Sequence, residues 1–394
     1  MGITLHFENV GIGDCILIHI EDDIDKYNIL IDCGNYNDKV KQLFDKYKIS
    51  ILDSLIITHI DNDHILGLID LLNENRNIEL KQIWYNNFQH LPTNEDNITL
   101  DEKDRLNIAS LYSELPSKLK KYEESKISVE KAMMLSDIIV AKEEWKQAWN
   151  KSPIMTNSST NIHVIREGDI QILSPRKEEL EALDYIFHKE FFKKMYKTHP
   201  QNSDLEDKEK LYELLLRIYD YNNLEDQEEY TISTELLTKA TIQQKSKERT
   251  NIDKTETNRS SIAFIFSFME KKILFLGDSA PDVVFEELSK IEGYESSIIF
   301  DAIKVSHHGS SQNITSELLS KIDSGFFIFT GGTANRPEVK TISKIINRPL
   351  PNGVLKRTLI FNKENEIIKK FRENKSLQNE YKYDVIIDTQ LILS

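Results

Sequence analysis

Short apolar or alternating runs bounded by Gly, Asp and Asn fill the first part of the chain: Leu5–Phe7, Cys15–Ile20, Asn28–Ile31 and Ser54–Thr58. Such runs between turn formers predict β-strands, with Gly11, Gly13 and Gly34 at the turns. After His64 the period changes. Ile65, Leu68, Ile69 and Leu72 recur at the three-to-four spacing of an amphipathic helix, and another strand is expected at Gln82–Tyr85. Strand signals return at Ile162–Ile165 and Ile170–Leu173, around a turn at Glu167-Gly168. They continue at Ser261–Phe268 and Lys272–Leu276, then at Ala302–Val305, Phe326–Phe329, Thr358–Asn362 and Tyr383–Ile387. Strand sets interleaved with helices predict an α/β fold, two sheets with helices outside: a four-layer αββα sandwich.

Two stretches break this pattern. Residues 91–160 are rich in Lys, Glu, Leu and Ser, with helical periodicity at Glu102–Leu119 and Lys131–Trp149, and read as a helical insertion. Residues 176–257 form a second charged insertion, whose polar end, Gln243–Thr257, is expected to be mobile. The chain is then one domain over 1–394, with its core in 1–90, 161–175 and 258–394. Trp145 and Trp149 lie one helical turn apart, as an apolar stripe requires. Cys15 and Cys33 form no CxxC pair and sit in apolar strands, so they read as core thiols.

Composition narrows the function classes. The 394 residues are 39% hydrophobic and 29% charged, and no apolar run approaches the roughly 20 residues of a membrane helix. The first residues lack a signal-peptide layout, so a cytoplasmic protein is expected. A formal net charge of -15 argues against a generic binder of nucleic-acid backbone. It leaves room for a nuclease whose divalent cations make a local positive site.

The sharpest chemical signal is Thr58-His59-Ile60-Asp61-Asn62-Asp63-His64, between an apolar strand and an amphipathic helix. Imidazoles mixed with carboxylates suit zinc, manganese or iron. A plain polar loop with Asp61 as helix cap needs fewer such groups. Two later strands also end in ligand-type residues: Ile273–Leu276 runs into Gly277-Asp278, and Ile303–Val305 into Ser306-His307-His308-Gly309-Ser310. Taken alone, Asp278 would read as a helix cap, and the His pair would fit a ligand or a loop equally.

Taken together, HxDxDH, Gly-Asp and His-His-Gly-Ser resemble the metallo-β-lactamase superfamily. They look most like its branch of competence DNA-uptake channel hydrolase domains and phosphorylcholine esterases. Asn9-Val10-Gly11-x-Gly13-Asp14-Cys15 and Ile31-Asp32-Cys33-Gly34 are similar to that branch's opening. The resemblance covers roughly residues 3–90, 161–175 and 258–335. It implies two divalent metal ions, zinc first and manganese second. His59 and Asp61 would hold one metal, Asp63, His64 and His308 the other, and Asp278 would bridge both. His307 would then be a second-layer or substrate residue. The superfamily's further His before the bridging-Asp strand is absent; Asn258-Arg259-Ser260-Ser261 stands there. Asn258 facing the metals or His90 supplying the imidazole are the substitutes, with His163 read as a strand residue.

The resemblance implies phosphodiester or phosphoester hydrolysis by a hydroxide held on the metals. Asp63 would orient the hydroxide, and His307 or His90 would protonate the leaving group. A nuclease would need a basic track, for which Arg259, Lys304, Arg336 and Lys340 are candidates. The alternatives are a small-ester or phosphoester hydrolase with a lidded pocket, and a sensor module of a bacterial defence or signalling system. In the latter, the helical insertions would bind a protein partner.

Overall fold

The computed structural model describes residues 2–21, 25–87, 91, 129–156, 162–184, 236–291 and 297–393. In chain order the first part gives β1 (Gly2–Phe7), β2 (Ile16–Glu21), β3 (Lys26–Ile31), α1 (Asp38–Tyr47), β4 (Ile51–Leu52), β5 (Ser54–Ile57), α2 (Asn62–Glu74), β6 (Glu79–Leu80) and β7 (Ile83–Tyr85). The middle supplies α3 (Val129–Val140), α4 (Glu143–Ala148), β8 (Ile162–Ile165), β9 (Gly168–Ser174), α5 (Lys239–Lys247) and α6 (Glu256–Arg259). Then follow β10 (Ala263–Phe268), β11 (Lys271–Phe275), α7 (Pro281–Ser289), β12 (Ile298–Phe300), β13 (Ala302–Lys304), α8 (Ser316–Lys321), β14 (Ile322–Ser324) and β15 (Phe326–Phe329). The chain closes with α9 (Val339–Ile346), β16 (Arg357–Phe361), α10 (Glu366–Glu373), α11 (Lys375–Tyr381), β17 (Tyr383–Ile387) and β18 (Gln390–Leu393).

One sheet has the order β18-β1-β2-β3-β5-β7, the other β17-β16-β15-β13-β11-β10-β9-β8. Period-two alternation sends each strand's residues to opposite faces. Ile16, Ile18, Ile29, Ile31 and Ile56 meet Phe264, Phe266, Ile273 and Phe275 in a core between the sheets. Leu17, Leu30, Leu55 and Ile57 turn outward and pack with Leu68, Leu72, Leu135 and Trp145 of the helices. On the other side Ile265, Leu274 and Ile303 pack with Val284, Leu318, Ile342 and Phe371. Three stacked cores make the four layers predicted from the sequence.

The C-terminus is not a simple continuation. β16 and β17 extend the second sheet in parallel, and β18 then crosses to pair antiparallel with β1, Ile3 facing Leu393. That final strand was not anticipated. The expected helix over Lys131–Trp149 is divided into α3 and α4, and its tryptophans pack as predicted. Trp145 Nε1 donates to Ile78 O at 3.1 Å and Trp149 Nε1 to Tyr85 O at 2.9 Å. The tract Gln243–Thr257, expected to be mobile, is placed against the fold at two points. Its start lies in α5, which packs on α9, and Asp253 within it is buried. Glu102–Leu119 lies outside the described residues, and no helix of the described residues is long and apolar enough to cross a membrane.

Candidate metal centre

Both sheets deliver their ligand-type residues at strand ends. β5 runs into His59, and α2 starts directly after Asp61. Asp61 holds the N-cap position but its side chain makes no capping bond, and Asp61 Oδ1 is buried without a partner. Asp63 lies in the first turn of α2, and its main chain is pressed between two glycines. A Cβ on Gly13 would fall 1.5 Å from Asp63 O, and one on Gly34 2.0 Å from it. Only glycine permits this approach, and Asp14 N donates to the same carbonyl at 3.2 Å. From the second sheet come Asp278, after β11, and His307-His308, after β13. Asp278 does not cap the next helix, whose N-cap is Ala280. Both histidines have positive φ, 47° and 55°, which turns consecutive side chains toward one place.

The imidazoles share one arrangement. His64 Nδ1 lies 2.8 Å from Asp32 Oδ2. His308 Nδ1 lies 2.9 Å from the Thr330 carbonyl. Thr58 Oγ1 donates to Asp32 Oδ2 at 2.6 Å, which leaves its lone pair for His59 Nδ1 at 3.0 Å. His307 Nδ1 lies 3.0 Å from Asn313 Oδ1 and 3.3 Å from Asp253 Oδ2. Each Nδ1 therefore carries a proton held by an acceptor, and each Nε2 is turned inward.

Asp278 Oδ2 is 4.0 Å from His59 Nε2, 3.6 Å from His64 Nε2 and 3.6 Å from His307 Nε2. Asp61 Oδ2 is 3.7 Å from His59 Nε2. Asp63 Oδ2 is 3.2 Å from His308 Nε2 and 3.8 Å from His64 Nε2. Donors around a tetrahedral ion with bonds of about 2.0–2.2 Å stand roughly 3.3–3.6 Å apart. The residues fit metal ions on a second count too: the Nε2 atoms of His59 and His64 and Oδ1 of Asp278 are buried with no hydrogen-bond partner. Buried polar atoms rarely stay unsatisfied unless something else binds them. Groups able to hold an ion include His59, His64 and Asp278, and Asp63, His64 and His308.

Charge points the same way. Asp14, Asp32, Asp61, Asp63 and Asp278 crowd together, and Lys304 is ion-paired with Asp14 and 3.8 Å from Asp278 Oδ1. Burial alone would lower the pKa of His64, but Asp278, Asp63 and Asp32 hold it well above the usual imidazole value. His308, likewise opposed by burial, is pushed up to about 9 by Asp14, Asp63 and Asp278. Burial would raise Asp63 and Asp278, yet the neighbouring histidines keep both below the carboxylate range. The carboxylates draw positive charge to this point, whether as protons on imidazoles or as cations.

Several expectations change here. Both His307 and His308 converge on the centre, where one ligand was expected from the pair. Asn258 lies beside His307: its Nδ2 donates to Asp253 Oδ2 at 2.7 Å and lies 3.5 Å from His307 Nδ1, while its Oδ1 is buried without a partner among the described residues. His163 is exposed on β8 and bonded to Asp169, apart from the centre. His90 lies outside the described residues. Lys304 cannot belong to a surface track, being 1% exposed. Sequence reasoning missed Asp253 and Asn313 altogether. It quoted Asp14 and Asp32 without a role; Asp32, at φ 54° directly after β3, already departs from an ordinary strand residue. Cys15 and Cys33 are buried free thiols, as predicted.

No curated protein matches the chain. Solved structures of low similarity include a CmlA beta-hydroxylase mutant, at 9% identity and a TM-score of 0.35, covering 99% of this chain. This chain spans about half, 53%, of that protein's length. The metallo-beta-lactamase fold protein YhfI from Bacillus subtilis matches at 9% identity and a TM-score of 0.36, covering 100% of this chain and 99% of its own. Zinc-bound PqqB from Methylobacterium extorquens matches at 10% identity and a TM-score of 0.39, with 100% of both chains covered. Residues 9–81 match the family model of the metallo-beta-lactamase superfamily. That match spans the opening strands and the HxDxDH loop of a chain folded as a four-layer αββα sandwich.

Proposed function

We propose that the protein is a metal-dependent hydrolase of phosphoester bonds that works with two divalent cations, zinc first and manganese second. The observation that carries this reading is the common set of the four imidazoles, each with Nδ1 on an acceptor and Nε2 facing Asp278 or Asp63. His59, Asp61, Asp278 and His307 would hold one ion; Asp63, His64, His308 and Asp278 would hold the other. Such a pair supplies Lewis acidity, lowers the pKa of a bound water and offsets charge on a pentavalent phosphoryl centre.

The chain's own residues set the rest. Asp63 has the most open of these carboxylates, with 31% of its side chain exposed against 21% for Asp61 and 3% for Asp278. It orients the attacking water. His307 was expected to protonate the leaving group. Its Nδ1, anchored by Asn313 and Asp253, leaves a lone pair on Nε2, which supports a ligand role instead. Asp32 and Asp253 hold the ligand imidazoles in their tautomers.

The test is metal analysis together with hydrolysis of bis(p-nitrophenyl) phosphate by zinc- and manganese-loaded protein. Two ions per chain are expected, with turnover abolished in Asp63→Ala. Full turnover in that variant, or a wild type that holds its ions and cleaves no phosphoester, would refute the reading.

A further inference from the structure

The basic side chains that surround the centre meet different fates. Lys304 is buried and ion-paired with Asp14. Arg259 forks onto Asp282 at 3.2 and 3.1 Å and reaches Glu179 at 3.0 Å. Lys340 pairs with Glu248 at 3.7 Å. Arg336 differs: among the described residues its guanidinium has no hydrogen-bond or carboxylate partner, and the residue is part exposed.

Its main chain, by contrast, is fixed against the centre. Arg336 stands in the loop that follows β15, whose first residue, Thr330, accepts the His308 Nδ1 proton. A Cβ placed on Gly332 would meet the Cβ atoms of both His308 and Arg336 at 3.3 Å. Ligand and arginine thus leave the backbone from neighbouring points. Arg336 N donates to Thr333 O at 3.2 Å, and Asn365 Nδ2 donates to Arg336 O at 2.8 Å. The next residue, Pro337, packs on Gly309 of the His-His-Gly-Ser turn. A second cation braces the same loop: Lys363 Nζ donates to Gly11 O at 2.7 Å and also to Gly332 O. Lys363 has no carboxylate partner among the described residues, and burial pulls its pKa below the usual lysine value.

A planar guanidinium on a rigid loop, with its fork unspent, suits bidentate contact with phosphoryl oxygens. The geometry points to Arg336 as the substrate-anion contact of this centre, and to a compact phosphoester, not a nucleic-acid strand, as the substrate class. This rests on the phosphoester hydrolase proposed above. A strand-binding surface needs cations spaced along the phosphate backbone. Among the described residues near the centre, Lys304, Arg259 and Lys340 are neutralised by carboxylates, in a chain of net charge -15.

The experiment uses full-length, metal-loaded protein: wild type, Arg336→Gln and Arg336→Lys. Metal content and melting temperature are measured on each, beside the affinity for inorganic phosphate and the KM for p-nitrophenyl phosphate and a single-stranded oligonucleotide. In Arg336→Gln, phosphate affinity should fall and the p-nitrophenyl phosphate KM rise by roughly 10–100-fold, with metal content and melting unchanged. Arg336→Lys should lie between, because lysine keeps the charge and loses the fork. Unchanged phosphate affinity in Arg336→Gln, or a wild type that binds no phosphate, would overturn the contact. An oligonucleotide KM below that of the small ester, with a salt slope of several phosphates, would overturn the substrate class. A wild type that binds phosphate through Arg336 yet cleaves no phosphoester would sink the hydrolase reading and leave the contact standing.

Discussion

Two buried clusters in this molecule both set Asp against cationic side chains, and they differ in whether the partners are matched. In the first, Asp323 of β14 meets Arg357 of β16 and Arg348. Asp323 Oδ1 accepts from Arg357 Nε at 3.1 Å and Arg348 Nη2 at 3.2 Å, and Oδ2 accepts from Arg357 Nη2 at 2.6 Å. Arg357 also donates to the carbonyls of Arg348 and Pro349, at 2.9 and 2.6 Å. Arg348 Nε alone is left over in that knot. In the metal centre, carboxylates outnumber Lys304, and unpartnered imidazole nitrogens share one focus. Burial and charge therefore do not mark a site by themselves. Unmatched donors and acceptors that converge do.

The difference can be broken from either side. Asp278→Asn removes the carboxylate shared by both ligand sets. Turnover should fall on the order of 10³-fold or more, since cations contribute several kcal/mol of charge stabilisation. Metal content should fall with it. Arg357→Met should act in the opposite way. It leaves Asp323 with Arg348 as its one remaining guanidinium partner and should cost on the order of 3 kcal/mol of stability, read as a lower urea midpoint, with metal content per folded molecule unchanged. If Arg357→Met lost its metals while staying folded, the distinction between the clusters would fail.

Chelation gives a third, smaller effect. Ions held at about 100 times their Kd contribute about 2.7 kcal/mol each to the folded state. A chelator should therefore lower the melting temperature of wild type and Arg357→Met alike, and move Asp278→Asn little. Equal shifts in all three proteins would show that the ions are not bound at this centre.

How much of this was legible in the sequence follows from where each residue lies. His59–His64, Asp278 and His307-His308 stand where an apolar run stops, and a ligand-type residue at a strand end is visible without a structure. The layers were legible for the same reason, because alternation records both faces of each strand. Lys304 was misread because it follows Ala302 and Ile303, where a lysine looks like the solvent end of a strand; the counter-charge of Asp14 is far away in sequence. Asp253 was invisible because it lies in a polar tract with no periodicity. Only the tertiary fold brings it onto Asn258, His307 and Asn313. β18 was missed because its partner β1 is at the other end of the chain.

The carboxylates behind the imidazoles sharpen the comparison further. Asp32→Asn disturbs His64 and Thr58 together and should weaken metal binding by roughly 10–100-fold. Asp253→Asn touches His307, which Asn313 also holds, so its effect should sit at or below the lower end of that range. Competition with a chromogenic chelator measures both. A larger loss in Asp253→Asn than in Asp32→Asn would contradict the shared hold on His307.

The smallest effect comes from an imidazole that has no carboxylate beside it among the described residues. His6, buried on β1, bonds Tyr47 Oη at 2.9 Å, and Lys46 and His19 are the charged or titratable groups around it; Glu21 sits on the far nitrogen of His19. Burial, then Lys46 and His19, lower its pKa from 6.5 to about 4, whereas His308 among its aspartates is pushed up to about 9. Between pH 6.5 and 4 the unfolded chain binds a proton that folded His6 refuses. The stability tied to His6 is therefore complete above pH 6.5 and lost as pH falls toward 4. With screening, the loss should be on the order of 1 kcal/mol. Urea midpoints of chelator-treated wild type and His6→Gln, taken at pH 7 and pH 5, isolate this term, because metal release cannot contribute. The wild type should lose more stability than His6→Gln over that interval. Parallel losses would mean that His6 titrates as it does in the unfolded chain, and that closure of its hydrogen bond, not the absence of carboxylates, is what separates it from the metal centre.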